Sequence, residues 1–459
     1  MKTKALPQRG SGEGALRFLT LGLLSATMAF GYFFADVMSP LEPLLTLPVE
    51  QGGLGWSSDE YGFFSGSYGY FNVFLFLLFV GGVVLDRWGI RIAGVLSTGL
   101  MFVGALVKWW ALSHDLDGFV ELPFGLGAYG LQVIWASAGF ALFGVGCEIA
   151  GITVSKVIVK WFSGHEMAFA MGLQVALARI GTAVALSFSL PFAQWLGRAH
   201  HSVGLGAVML FIGMIFFLFY CIIDRAFDRD AAAAGTAEQG SGETFRFSDL
   251  RLLVFNRGFW CIALLCLMFY AGVFPFLKFA TRLMVVKYEV SDSLAGLIPA
   301  MLPFGTIFLT PFFGSLYDRY GRGATLMLLG SVLLFLVHAA LALPLCHWAL
   351  AIVMMTLLGI SFGMVPSAMW PSVPKIIPMK LLGTAYALIF YIQNIGLALV
   401  PVWIGKVNQR NTDALTGTVD YTETMVVFAL FGLVAIIISA VLLREDRLRG
   451  YGLEQRNIA

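Results

Sequence analysis

The chain has 459 residues, 59% of them hydrophobic and 12% charged, with a formal net charge of +2 and a mean hydropathy of +0.84. A soluble domain carries roughly 25% charged residues, so a soluble globule is excluded; about a dozen helices of roughly 20 residues each would use this much apolar side chain. The near-neutral balance, with no basic cluster, excludes nucleic acid as a partner, leaving the lipid bilayer and a small molecule.

Twelve apolar segments are predicted, near 16–38, 60–84, 92–112, 126–155, 166–193, 205–223, 258–280, 293–314, 324–344, 348–370, 383–405 and 424–443. A basic tail, 1–15, with Lys2, Lys4 and Arg9, precedes the first. Leu16 onward lacks a small-residue cleavage site and reads as a first span rather than a removed signal peptide. The second span opens on Ser57-Ser-Asp-Glu60, a capping box. Between the sixth and seventh lies 224–257, whose Ala- and Gly-rich centre reads as a flexible linker. The fold class is therefore an all-α integral membrane protein of two six-helix bundles, 16–223 and 258–443, ending in a tail, 444–459.

Orientation follows from lysine and arginine. With both termini cytoplasmic, the tails and five inner loops hold most of the 29 basic residues, as the positive-inside rule requires. Lys108, Arg198, Lys278, Arg282, Lys287, Lys406 and Arg410 fall outside, and Lys108, Lys278 and Arg282 are expected to snorkel to the outer interface. The five cysteines (Cys147, Cys221, Cys261, Cys266, Cys346) have no metal-ligand spacing and read as small packing residues. No cofactor or metal is expected.

Two inner turns carry one phrase, Gly82-Val-Val-Leu-Asp86-Arg87-Trp-Gly89-Ile-Arg91 and Gly314-Ser-Leu-Tyr-Asp318-Arg319-Tyr-Gly321-Arg322, about half a chain length apart. Such a duplication between spans marks a transporter of two homologous halves. Read from the residues alone, these are either solvated turns whose arginines set orientation or parts of a gate.

Two charges sit deep in apolar helices, Glu148 in the fourth span and Arg179 in the fifth. Glu148 lies about 14 residues before the intervening turn and Arg179 about 16 after it, so at ~1.5 Å per residue they share a depth of roughly 21–24 Å. Ionised groups there are costly unless paired or facing a wet cavity. The pair reads either as a salt bridge between helices or as the acidic and basic poles of a substrate site, with Glu148 accepting from an ammonium and Arg179 gripping a carboxylate. Further polar candidates are Tyr32 and Asp36 in the first span, Tyr270 in the seventh, and Gln393 and Asn394 in the eleventh. Asp36 reads equally as an interfacial, substrate-binding or proton-carrying residue. His338 reads as a hydrogen-bonded packing residue. Pro299, Pro303 and Pro311, with Pro275, mark expected bends.

The duplicated phrase resembles the signature of the major facilitator superfamily, with Ile90 and Gly323 replacing basic residues of the pattern. The resemblance implies a gating role for Gly82, Asp86, Arg87, Gly89, Arg91, Gly314, Asp318, Arg319, Gly321 and Arg322. Asp86 would face the start of the eleventh span near Leu382-Gly-Thr384, and Asp318 the start of the fifth near Ser163-Gly-His-Glu166. Other stretches are similar to one branch, the lysosomal dipeptide uniporter and its bacterial relatives: Tyr32-Phe-Phe-Ala-Asp36, Gly146-Cys-Glu148, Gly172-Leu-Gln-Val-Ala-Leu-Ala-Arg179-Ile-Gly, Val273-Phe-Pro-Phe276, Leu382-Gly-Thr-Ala-Tyr386 and Ile392-Gln-Asn-Ile-Gly-Leu-Ala398. That branch implies that Glu148 and Arg179 engage the two ends of a dipeptide; the superfamily implies a monomer, with a dimer and an accessory subunit left open.

The expected function is alternating-access transport of small zwitterions, dipeptides by uniport. The first alternative is a proton-coupled symporter of an organic anion, with Arg179 as clamp and Glu148 as proton site. The second is a non-transporting sensor or scaffold, disfavoured by tails of about 15 residues. An enzyme is not expected, since no HExxH or GxSxG motif occurs. Neither tail carries an acidic dileucine signal, so the expected address is a bacterial inner membrane.

Overall fold

The computed structural model describes residues 11–123, 127–162, 167–233, 253–378, 381–413 and 416–456. Its helices are α1 (Ser11–Asp36), α2 (Glu42–Leu45), α3 (Ser58–Gly66), α4 (Tyr70–Phe74), α5 (Leu77–Ser113), α6 (Leu131–Phe162), α7 (Met167–Leu196), α8 (His200–Ala233), α9 (Arg257–Tyr288), α10 (Asp292–Ala295), α11 (Leu297–Tyr320), α12 (Gly323–Ala342), α13 (Trp348–Ile376), α14 (Leu382–Arg410) and α15 (Thr422–Arg449). Among the described residues eleven helices are long and apolar enough to cross a membrane, and the count is twelve if the pair Ser58–Phe74 and Leu77–Leu85, bent by 58°, forms one broken span.

The two halves repeat their packing. In the first, α1 packs on α7 and α8, and α5 on α6 and α8; in the second, α9 packs on α14 and α15, and α12 on α13 and α15. The halves meet along α3 against α14 and α7 against α11. Small residues allow this approach: a Cβ on Gly62 would stand 2.5 Å from the Pro401 carbonyl and 2.7 Å from the Gly405 Cα.

Local chemistry explains several boundaries. At the α3 start, the Ser57 N–H donates to Glu60 Oε2 at 2.9 Å while the Glu60 N–H donates to Ser57 Oγ at 3.1 Å, completing the expected capping box. The second span then breaks at Phe76, which holds a left-handed conformation with φ 55°. Tyr391 of α14 stacks on the Phe76 ring at 5.5 Å, and its O–H donates to the Val73 carbonyl at 3.1 Å. That bond satisfies a carbonyl near the break. The first charged turn is a kink inside α5, where Gly89 has φ 77° and ψ 174°, a region open to glycine.

Other boundaries differ from the sequence reading. The fourth span starts at Leu131, because Phe119–Leu122 (β1) and Gly127–Gly130 (β2) pair as an antiparallel hairpin. Tyr129 anchors it, stacked on Phe63 at 4.3 Å. The sixth span runs ten residues into the expected linker, to Ala233, because buried Asp224 binds Lys160 at 2.8 Å and Trp161 Nε1 at 3.0 Å. The rest of the linker's low-complexity centre lies outside the described residues. The final tail packs rather than trailing: the N–H groups of Arg322 and Gly323 donate to the carbonyls of Glu454 and Leu453. The Glu454 carboxylate in turn caps α12 through Thr325, accepting from its N–H at 2.9 Å and its hydroxyl at 2.8 Å. Pro275, Pro303 and Pro311 sit inside continuous helices. His338 packs as expected, Nε2 2.9 Å from the Gly272 carbonyl.

None of the three expected snorkelling cations reaches out as expected: Lys108 and Arg282 are buried and Lys278 is half-buried. Lys108 is fully buried against the rings of Phe34 and Phe140, 4.0 and 4.3 Å from their centroids. Lys278 and Arg282 reach from α9 into the opposite half, to Asp36 at 2.6 Å and to Ser58 Oγ at 2.9 Å. Cys346 is exposed, unlike the packing role expected of it, while Cys147 and Cys266 are buried.

Candidate functional site

The duplicated turns, the start of α1 and the end of α15 lie on one side, here called the termini face; α2, the hairpin and α10 lie on the far face. On the far face the halves are joined by Lys278–Asp36, by Arg282 to Ser58 and Glu42, and by the Ser58 N–H donating to Gln409 Oε1 at 2.9 Å. The interior between the halves is thus sealed at the far end.

Glu148 and Arg179 stand at the wall of that interior, partly exposed. Among the described residues they form no ion pair with each other, and neither has a partner of opposite charge. Tyr68, in the short 3-10 turn between α3 and α4, donates its O–H to Glu148 Oε1 at 2.9 Å. Asn394 of α14 flanks the same carboxylate; its amide N–H₂ donates to the Phe390 carbonyl at 3.0 Å, and its buried Oδ1 receives no donor. The Arg179 guanidinium lies against three rings, Tyr32 at 5.7 Å, Phe274 at 5.5 Å and Phe362 at 5.3 Å. Aromatic faces favour a cation without neutralising it, so its hydrogen-bonding edge stays available.

Tyr32 lies within electrostatic range of both poles. Tyr270 belongs to the basic pole: its ring contacts Phe274 and Phe362, and its hydroxyl accepts from Trp370 Nε1 at 3.2 Å. The structure therefore brings together Tyr32, Glu148, Arg179, Tyr270 and Asn394. Asp36 stands apart in the far-face ion pair, its other oxygen accepting from Thr182 at 2.9 Å. Gln393 points away, its Oε1 accepting from buried Cys266. Tyr68, Phe274, Phe362 and Trp370 were missed, because aromatic residues inside apolar helices carry no sequence mark of their own. The Gly62–Gly66–Gly69 series around Tyr68 was the available signal, since small residues at that spacing announce a close helix pair.

The residues of the duplicated turns separate. Gly82 and Gly314 lie within helices, Arg87 and Arg319 are exposed, and Gly321 (φ 73°) and Arg322 (φ 65°) form the second turn beneath the C-terminal segment. Arg91 reaches from α5 to α8, pairing with Asp228 at 3.0 Å and Asp224 at 3.5 Å. Asp318 is half-buried. The Asp86 side chain and the Ser163–Glu166 turn lie outside the described residues.

The lysosomal dipeptide transporter MFSD1 of Mus musculus is 30% identical over 344 residues, covering 72% of this chain and 68% of that protein. Its counterpart in Pongo abelii is 27% identical over 412 residues, covering 88% and 82%. Among solved structures, the nucleoside transporter NupG superposes with TM-score 0.67 at 15% identity, covering 93% of this chain and 99% of that one. A bacterial homologue of the human lysosomal transporter Spinster, in an inward-facing and occupied conformation, gives 0.67 at 14%, covering 93% and 97%. The sequence profile of the Major Facilitator Superfamily matches residues 21–401. With that match over most of its length and eleven or twelve candidate spans among the described residues in two repeated halves, the chain belongs to the Major Facilitator Superfamily of membrane transporters.

Proposed function

We propose that the protein carries dipeptides by uniport, alternating the access of one central site. The observation that supports this most is the separation of Glu148 from Arg179: each charge is held by neutral neighbours, and neither neutralises the other. A zwitterion with its charges at opposite ends supplies what both lack. The ammonium donates to Glu148 and to the free Oδ1 of Asn394, while the carboxylate accepts two N–H bonds from Arg179. Glu148 and Arg179 belong to one half, whereas Asn394, Phe274, Phe362 and Tyr270 belong to the other, so a bound dipeptide links the halves. The names of the MFSD1 relatives agree with this reading.

The charge bias of the loops supports a cytoplasmic termini face, and the bonds across the far face support reading this state as closed toward the outside. The duplicated turns close the cytoplasmic mouth in the opposite state, with Asp86 and Asp318 as its carboxylates. The proposed address is a bacterial inner membrane, and the proposed working unit a monomer.

The test is uptake into proteoliposomes holding the purified protein. Labelled dipeptide is expected to exchange saturably without an imposed pH gradient, with single amino acids inert and Arg179→Ala silent. Dipeptides inert, with an organic anion accumulating only under a proton gradient, would replace this reading by proton-coupled anion symport.

A further inference from the structure

Two lysines converge on the far end of α1. Helix C-termini leave carbonyl groups without intrahelical donors and carry partial negative charge, so cations gather there. Lys278, from the opposite half, binds the Ala35 carbonyl at 2.9 Å and the Asp36 carboxylate at 2.6 Å. Lys108, from α5 in the same half as α1, points its ammonium at the Phe34 carbonyl at 3.5 Å. It is fully buried, rests on the rings of Phe34, Phe140 and Phe64, and forms no ion pair among the described residues. Both Lys278 and Asp36 lie within its electrostatic range.

A buried cation without a carboxylate is costly, and in the sealed state Lys108 has three rings and one carbonyl, but no carboxylate, against it. The arrangement makes sense over a cycle. When the halves separate on the far face, Lys278 leaves with its half, and Asp36 would be stranded beside Thr182. Lys108 stays, because α5 and α1 belong to one bundle, and a change of rotamer carries its ammonium toward Asp36. We propose that Asp36 exchanges Lys278 for Lys108 as the far face opens, so that Lys108 is a positioning residue holding the open state. The exchange keeps one ion pair in each state and lowers the penalty of passing between them. It rests on alternating access and on no particular substrate.

The test reads the far-face gate without substrate, in the full chain in lipid nanodiscs. Spin labels are placed on exposed Cys346 and on a cysteine replacing exposed Asp117, with Cys221 and Cys261 changed to alanine, and their distance distribution is recorded. Lys278→Met is expected to raise the long-distance population about tenfold or more, the scale of losing one partner of a largely desolvated ion pair. Adding Lys108→Met to it is expected to reverse that rise, and in an Asp36→Asn background Lys108→Met is expected to change nothing. Lys108→Gln, which keeps a polar head against the Phe34 carbonyl, carries the same readout should the methionine variant fail to assemble. If the gate distribution of the Lys278→Met protein is unaffected by neutralising Lys108, or if that neutralisation acts equally without Asp36, the exchange is overturned. Dipeptide transport could then still hold, and its failure in proteoliposomes would leave the gate result standing.

Discussion

At the scale of single residues, the proposed site consists of charges held by neutral neighbours, and each neighbour has a measurable share. Tyr68→Phe removes the O–H donated to Glu148. A hydrogen bond to a charged group contributes about 1.5–3 kcal/mol, so dipeptide affinity is expected to fall about tenfold or more while the purified protein keeps its melting temperature. Arg179→Lys keeps the charge but loses the fork and the planar contact with Tyr32, Phe274 and Phe362. Binding is expected to fall by a similar or larger factor, and wild-type affinity in that variant would contradict a bidentate clamp. Glu148 and Arg179 stand out in the sequence as candidates because a charge in an apolar run has few innocent explanations. Lys108 was not read correctly because its place in the sequence fits both a snorkelling and a buried lysine. Only the rings of Phe34 and Phe140, brought in by other helices, decide between the two.

At the scale of elements, closure of the far face depends on how nearly α3 can approach α14. Any side chain on Gly62 must displace the Pro401 carbonyl or the Gly405 backbone. Gly62→Val is therefore expected to hold the far face open, and a cysteine replacing buried Ser58 should react faster with an impermeant thiol reagent in that background. An unchanged rate would mean that the helices separate elsewhere. The capping box at Ser57–Glu60 was visible in sequence because its signal is local and its bonds are reciprocal. The break at Phe76 was invisible: no proline or glycine marks it, and part of its support, Tyr391, comes from the other half of the chain. The hairpin at 119–130 was absorbed into an apolar window, since short apolar strands and helix starts look alike in composition.

At the scale of the molecule, the duplication gave the architecture, while the facing state depends on side chains meeting across the two halves. One such contact predicts a pH response. Glu42 is wholly buried, and burial pushes its carboxyl up from 4.5 to about 8, against the opposing pull of Arg282. Arg282 faces it from α9, and Tyr61 of α3 and Tyr421, just ahead of α15, also lie within its electrostatic range. In the sealed state Glu42 therefore takes up a proton that it gives back when opening hydrates it. The sealed far face is favoured at low pH, and that advantage is lost as pH rises from about 4.5 through about 8. Label distances between Cys346 and position 117 should lengthen over this window, and Glu42→Gln should flatten the dependence. A wild-type profile without slope would show that Glu42 keeps the same charge in both states.

The central claim is that two separate poles read the two ends of one dipeptide, and calorimetric binding of blocked ligands tests it most directly. A free dipeptide, its N-acetyl form and its C-terminal amide are titrated into the wild type, Glu148→Gln and Arg179→Ala. The wild type is expected to reject each blocked form by about thirtyfold or more, as loss of a desolvated charged pair implies. Glu148→Gln should lose discrimination against the acetylated ligand alone, and Arg179→Ala against the amide alone. Blocked and free dipeptides binding the wild type equally, or discrimination surviving in both variants, would contradict the account.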